Sequence, residues 1–236
     1  MSKKIAIISG GELDEAFILS VLEKMSADYV IGVDRGMEFL YRHDIMPDYI
    51  VGDFDSVDKK VADYYRNETN VPIREFRPVK DASDTEIAIR LAMTLGCEEM
   101  VILGATGGRI DHLWANVQSL TVPFHAGIDA RILDRQNSIR LIGKETILKR
   151  SEAYGPYFSV FPLGQEVYGF NIQGAKYPLK NHRLTPYDSL CVSNQFKDAE
   201  VVISFLSGIV ILMETRDQRI DEESMEGEKC DDENIK

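Results

Sequence analysis

The stretch Tyr49-Ile50-Val51-Gly52-Asp53-Phe54-Asp55-Ser56 decides how this chain is read. An aromatic and two β-branched residues in a row suit a strand buried on both faces, and the glycine and aspartates that follow end it in a polar loop. The same texture recurs on either side. Runs at Ile5–Ser9, Tyr29–Asp34, Ile73–Phe76, Met100–Gly104 and Arg131–Asp134 predict further strands, and helical patterns fall near 14–25, 58–66, 83–95 and 110–120. Strands alternating with helices imply an α/β fold, a doubly wound, mostly parallel sheet.

The helix near 83–95 carries its own start signal: Ser83-Asp84-Thr85-Glu86 reads as a capping box, with Ser83 at the N-cap and Glu86 three residues on. Beyond about residue 136 the pattern changes. Apolar runs at Tyr157–Phe161, Leu190–Ser193, Val201–Phe205 and Ile209–Met213 are separated by Gly, Pro and Asn. Val201–Leu206, Ser207-Gly208 and Ile209–Leu212 predict a hairpin with a two-residue loop. The expected organisation is an α/β domain over 1–138, a smaller all-β sandwich or barrel domain over 139–216, and a tail over 217–236.

Composition narrows the function. With 44% hydrophobic and 28% charged residues in 236, the chain is an ordinary globular one, and no apolar run reaches membrane-spanning length. Lys4 is followed by Ile5-Ala6-Ile7-Ile8, but Gly10-Gly11 interrupts the run too soon for a signal peptide, so it reads as a buried first strand. A net charge of −12 argues against a general nucleic-acid binder. Half of it sits after Arg216, where nine acidic residues face only Arg219, Lys229 and Lys236, a composition expected to be disordered. Cys97, Cys191 and Cys230 lack zinc-site or disulfide spacing, so a reducing, cytoplasmic setting is expected.

Three segments carry chemistry. In Gly52–Ser56, two carboxylates one residue apart at the carboxyl end of a strand suit a hard cation such as magnesium; helix capping is the plainer alternative. Lys80-Asp81-Ala82-Ser83-Asp84-Thr85-Glu86 spans a loop and a helix start, where free N–H groups attract phosphate, though Asp84 also suits the helix dipole alone. Gly104-Ala105-Thr106-Gly107-Gly108-Arg109-Ile110-Asp111-His112 follows another strand; its glycines admit phosphate to the backbone and Arg109 offers a planar fork of donors. His112 alone would more often be structural. All three fall at one predicted sheet edge, so Asp53, Asp55, Asp84 and Asp111 are expected to converge on one crevice that demands a cation.

In that order and spacing, GDFDS, DASDTE and GATGGRIDH resemble the signature segments of thiamine pyrophosphokinases, above all the bacterial type. The resemblance extends to Val33-Asp34-Arg35-Gly36, Gly174–Leu179, Ser193-Asn194-Gln195-Phe196 and Gly208–Ile211, with Arg35 where many members have glycine. It implies a Mg2+-dependent transfer of the pyrophosphoryl group of ATP to the thiamine hydroxyl, giving AMP, by a homodimer whose thiamine site lies near the subunit interface. Asp53, Asp55 and Asp84 would hold the metal. Arg109 and Asp111 would complete the catalytic set. Lys80, Asp34, Thr85, Gly107, Gly108 and His112 would line the nucleotide, and Ser193, Asn194 and Phe196 would meet thiamine. Two rivals are weighed beside it. In a haloacid-dehalogenase-like phosphatase, Asp53 would be the nucleophile, but the motif here follows the third strand and GATGGRIDH is left without a role. A non-catalytic thiamine- or nucleotide-binding module would not need four carboxylates.

Overall fold

The computed structural model describes residues 2–74 and 82–218. The first half alternates as expected: β1 (Lys4–Ile8), α1 (Glu15–Met25), β2 (Tyr29–Val33), α2 (Gly36–Arg42), β3 (Tyr49–Val51), α3 (Lys59–Asn67) and β4 (Ile73–Arg74). Then come α4 (Asp84–Thr94), β5 (Glu99–Leu103), α5 (Ile110–Ser119), α6 (Thr121–His125) and β6 (Asp129–Leu133). The all-β part comprises β7 (Asn137–Ile142), β8 (Thr146–Lys149), β9 (Tyr157–Pro162), β10 (Val167–Gln173), β11 (Leu179–Leu184), β12 (Asn194–Gln195), β13 (Glu200–Ser204) and β14 (Val210–Thr215).

Strands β6-β5-β1-β2-β3-β4 run parallel, in that order across the sheet. The strand order reverses between β1 and β5, the topological switch point where open α/β sheets bind ligands. Period-two alternation explains the two helix layers. Ile5 and Ile7 turn to the face where Ala88, Ile89 and Ala92 of α4 and Val117 of α5 pack. Ala6 and Ile8 turn to the other, against Ile18 of α1 and Phe39 and Leu40 of α2. Both faces are covered, so these strands read as unbroken apolar runs.

The sheet does not stop at β6. β7 joins it antiparallel, with Ile132 opposite Ile139, and β14, β9 and β12 extend it to ten strands. The remaining strands form a second sheet in the order β11-β10-β13-β8. Phe158, Val160 and Leu212 from the long sheet meet Phe170, Ile172, Val201 and Ile203 from the short one in a single core, a sandwich.

The expected hairpin at 201–212 is not one. β13 pairs with β10 and β8, whereas β14 pairs with β7 and β9, so the chain changes sheets between them. Leu206 N–H donates to the Tyr168 carbonyl at 2.9 Å, and Gly208, at φ +108°, passes so close to Val167 that a Cβ would lie 2.8 Å from its Cγ2. Both strands bury one apolar face on the same core from opposite sides, and that burial outweighs pairing across a short turn.

Candidate active site

The loop Gly52–Ser56 leaves β3 at the carboxyl edge of the parallel sheet. Gly52 is at φ +146°, and a Cβ there would lie 2.5 Å from Oδ1 of Asp34, so only glycine lets the Asp34 carboxylate rest against this loop. Asp34 itself is left-handed, φ 47°, at the end of β2. Phe54, also left-handed at φ 64°, is 7% exposed; it packs against Val61, Ala62 and Tyr65 of α3, with the Arg66 guanidinium 4.3 Å from its ring. Sinking Phe54 into that pocket sets Asp53 and Asp55 on either side of it, above the sheet edge. The intervening aromatic is thus an anchor.

Asp53 Oδ1 accepts the backbone N–H of Asp55 at 3.2 Å. The Asp55 carboxyl is held above its ordinary value, first by a hydrogen bond with the Asp53 side chain and by the charge of Asp53, then by slight desolvation and by the charge of Asp84. Like charges in each other's field favour the protonated form, so these three carboxylates share one patch of negative potential. Among the described residues no group of three or more His, Cys, Asp or Glu is closed enough to hold a metal ion alone. The donor set nevertheless fits magnesium, which takes one or two carboxylates and completes its shell with phosphate oxygens and water.

Asp84 begins α4. Ser83 caps that helix, its Oγ accepting Glu86 N–H at 3.2 Å, while the Glu86 carboxylate pairs with Arg90 at 2.7 Å. Thr85 is 7% exposed, and its hydroxyl shares a buried hydrogen bond of 2.8 Å with Ser9, at the end of β1. That bond ties the helix bearing Asp84 to the switch point, and it turns the Thr85 hydroxyl inward. Lys80 lies outside the described residues.

The third segment opens α5. Gly107 and Gly108 are both left-handed, at φ +78° and +62°. A Cβ on Gly107 would lie 2.5 Å from Cβ of Glu12, whereas one on Gly108 would meet open space. Arg109 closes a two-pronged pair with Asp111, Nε to Oδ1 at 3.1 Å and Nη2 to Oδ2 at 2.5 Å, with both side chains exposed. The guanidinium holds Asp111 below its ordinary value. Asp111 is therefore committed to Arg109, and the carboxylates that influence one another are Asp53, Asp55 and Asp84. His112 is exposed, and its N–H donates to Asp111 Oδ1 at 2.9 Å.

Ser193, Asn194 and Phe196 sit elsewhere. Asn194, 3% exposed, accepts Tyr177 N–H at 3.1 Å and donates to the Tyr177 carbonyl at 2.9 Å, which makes it a strut for the segment around Tyr177. Phe196 packs edge-on against Phe158 at 5.8 Å, in the sandwich core. Ser193 is exposed, at φ 55°, beside the exposed Val192, Leu190 and Tyr177.

Two features escaped sequence reasoning. Gly10 and Gly11 end β1 within the crevice: a Cβ on Gly11 would lie 2.5 Å from the Thr106 carbonyl, so backbone meets backbone there. A glycine pair after the first strand was the available signal. Buried Asn116 donates to the Ala105 carbonyl at 2.9 Å and fixes the glycine loop to α5; a lone asparagine in a helix gives no comparable signal.

Comparison with known proteins bears on both halves of the chain. Residues 22–132 match the family model described as Thiamin pyrophosphokinase, catalytic domain, and residues 144–210 match Thiamin pyrophosphokinase, vitamin B1 binding domain. Thiamine pyrophosphokinase of Bacillus subtilis is 31% identical over 188 residues, 79% of this chain and 87% of that protein. The solved thiamine pyrophosphokinase structure from Bacillus subtilis covers 92% of this chain and 100% of its own, with TM-score 0.80 and 28% identity. That from Geobacillus thermodenitrificans covers 92% of this chain and 99% of its own, with TM-score 0.77 and 29% identity.

Proposed function

The chain belongs to the thiamine pyrophosphokinase family, and on that premise we propose how its residues form thiamine diphosphate from thiamine and ATP. The observation that carries the reading is the shared field of Asp53, Asp55 and Asp84 at the switch-point edge. A polyphosphate brings more negative charge to an already negative patch, so the two meet through a divalent cation. Asp53, Asp55 and Asp84 would hold Mg2+, which when bound neutralises the β- and γ-phosphate oxygens.

The rest is done by this chain's own groups. The thiamine hydroxyl oxygen attacks the β-phosphorus, the bond from that phosphorus to the α-phosphate oxygen breaks, and AMP leaves with the electron pair. Gly107 and Gly108 give phosphate an approach to bare backbone. Arg109, held in place by Asp111, turns its planar fork to phosphate oxygens, while Asp34 flanks the metal-holding loop. His112 stands at the rim of the same loop.

The α/β part thus takes ATP, and the β part takes thiamine through the exposed surface at Ser193. One chain does not bring these together. β12, which begins at Asn194, and β3, which ends before Gly52, lie eight strand spacings apart in the long sheet, on the order of 38 Å along it. That separation supports a homodimer in which each site draws its thiamine face from the other copy. Exposed Tyr177, Tyr187, Leu190 and Val192 around Ser193 are the apolar surface such a pairing would cover. A cytoplasmic setting accords with the free, buried thiols of Cys97 and Cys191. Among the described residues no helix is long and apolar enough to cross a membrane.

The test is the identity of the adenine product after incubation with thiamine, ATP and magnesium. AMP formed in step with thiamine diphosphate, and abolished by EDTA, is expected. ADP with thiamine monophosphate would refute pyrophosphoryl transfer, and orthophosphate released without thiamine would favour the phosphatase rival.

A further inference from the structure

The carboxylates and the glycine loops account for a polyphosphate but leave no place for a nucleoside. A cavity of about 440 Å3 opens at the carboxyl ends of β1, β5 and β6, lined by Phe17, Leu113, Trp114, Leu133 and Ile139, with Asp134 and Asn137 among its polar groups. That volume falls in the range of small-molecule sites, which combine apolar walls with few polar groups. Trp114 is 49% exposed and lines it, although large aromatic side chains are usually more deeply covered. We propose that this cavity receives the adenosine of ATP, with the base against Trp114, an assignment that rests on the ATP-dependent reaction proposed above.

Position supports a nucleoside here. From β5, at the cavity, to β3, which bears the Asp53 loop, is three strand spacings, about 14 Å along the sheet. Ribose and phosphates laid across that interval pass over Gly10, Gly11 and Gly107. At Gly11 and Gly107 a Cβ would lie 2.5 Å from a neighbour, so that side of the crevice is bare backbone. The nucleoside end and the carboxylates then occupy opposite sides of the switch point, joined by a surface that admits phosphate.

Charge separates a neutral base from the thiazolium cation. Three carboxylates line the cavity, from Glu12, Asp14 and Asp134. Asp14 accepts Phe17 N–H at 2.9 Å and lies 3.5 Å from Arg135. Asp134 accepts Gln136 N–H at 2.7 Å, Asn137 N–H at 2.8 Å and the Asn137 amide at 2.9 Å. With these two committed, only Glu12, beside Gly107, is left for a cation, and the aromatic and aliphatic walls suit a flat uncharged ring.

The chain has one tryptophan, Trp114, so its fluorescence reports on this cavity alone. The full-length protein is titrated in EDTA with adenosine, AMP, thiamine and inorganic tripolyphosphate. Saturable quenching by adenosine and AMP, and none by thiamine or tripolyphosphate, is expected. Quenching by thiamine alone, or no response to adenosine and AMP, overturns the assignment. A second measurement uses Trp114→Ala and Trp114→Phe. Loss of a base-stacking ring should raise the KM for ATP about ten-fold in the alanine variant, with the phenylalanine variant close to wild type and the KM for thiamine unmoved in both. An unchanged KM for ATP in a folded alanine variant also overturns it. The two readings fail separately. Quenching by adenosine without thiamine diphosphate formation removes the reaction and keeps the cavity, whereas product formation without quenching removes only the cavity.

Discussion

Replacing Asn194 by alanine should destabilise the protein, because the side chain is a strut. Its Oδ1 accepts Tyr177 N–H at 3.1 Å and Gln195 N–H at 2.9 Å, and its Nδ2 donates to the Tyr177 carbonyl at 2.9 Å. Asn194 is 3% exposed, so water cannot replace it without entering the fold. Each group left unmatched costs roughly 1–3 kcal/mol, and the partial exposure of Tyr177 moderates this to about 3 kcal/mol in all. For a chain of this size that corresponds to a drop in Tm of about 6–12 °C. The segment around Tyr177 borders Ser193, so the KM for thiamine should rise while that for ATP holds. Ser193→Ala is the contrast: an exposed hydroxyl is lost, Tm should stay put, and the KM for thiamine should rise about ten-fold as one hydrogen bond to the ligand disappears. Thermal melts and a steady-state matrix in both substrates read all of this. If Asn194→Ala melts like wild type while the KM for thiamine climbs, the amide touches substrate and the strut argument is wrong. If Ser193→Ala perturbs the ATP constant and spares thiamine, the thiamine face is misplaced.

Three further outcomes follow from the crevice. Asp53→Asn and Asp55→Asn preserve the shape of the loop, so melting should change little while turnover falls by roughly two orders of magnitude or more; near-normal kcat in both would leave only a turn-forming role. Arg109→Lys keeps the charge but loses the fork, so kcat should fall or the KM for ATP rise, and a melt should show no loss of fold. Because Asp55 holds its proton above the ordinary carboxylate value, magnesium must displace that proton. Magnesium affinity, followed by calorimetry, should be level above the raised pKa and weaken as pH falls through it; no pH dependence in mildly acid solution would separate Asp55 from the metal.

The α/β half was legible because burial on both faces leaves a mark in one dimension. Tyr29–Val33 and Glu99–Leu103 have apolar neighbours above and below, so their composition alone gives them away. The cap at Ser83 was legible for the same local reason, although Glu86 turned to Arg90 rather than back to the cap. The β half hid its order. β11 runs Leu179-Lys180-Asn181-His182-Arg183-Leu184, mostly exposed and polar at a sheet edge, and no period marks it as a strand. β13 and β14 each read as strands, but which sheet a strand joins depends on partners far away in sequence.

The candidate site divides in the same way. Local spacing announced the Asp53 loop, and the structure adds why Phe54 stands between the two aspartates. What spacing does not reveal is the direction of each side chain. Thr85 turns to Ser9, Asp111 turns to Arg109, and Asn194 and Phe196 turn inward, while Ser193 between them and the sheet edge stays exposed. Alternation across a strand or a tight turn decides these orientations, and one residue of register reverses them.

The account's central claim is that carboxylates on one copy act on thiamine held by another, and a mixing experiment addresses it directly. Asp53→Asn removes the metal-holding side, and Ser193→Trp blocks the thiamine face; each variant alone should form almost no thiamine diphosphate. In a mixed dimer the two lesions fall in one site and leave the other whole. Random pairing of equal amounts, after co-expression, should therefore restore about a quarter of wild-type activity, since half of the dimers are mixed and half of their sites intact. Recovery near that level is the predicted result. Two dead variants that stay dead when co-assembled into the same dimers would contradict it and return the whole site to a single chain.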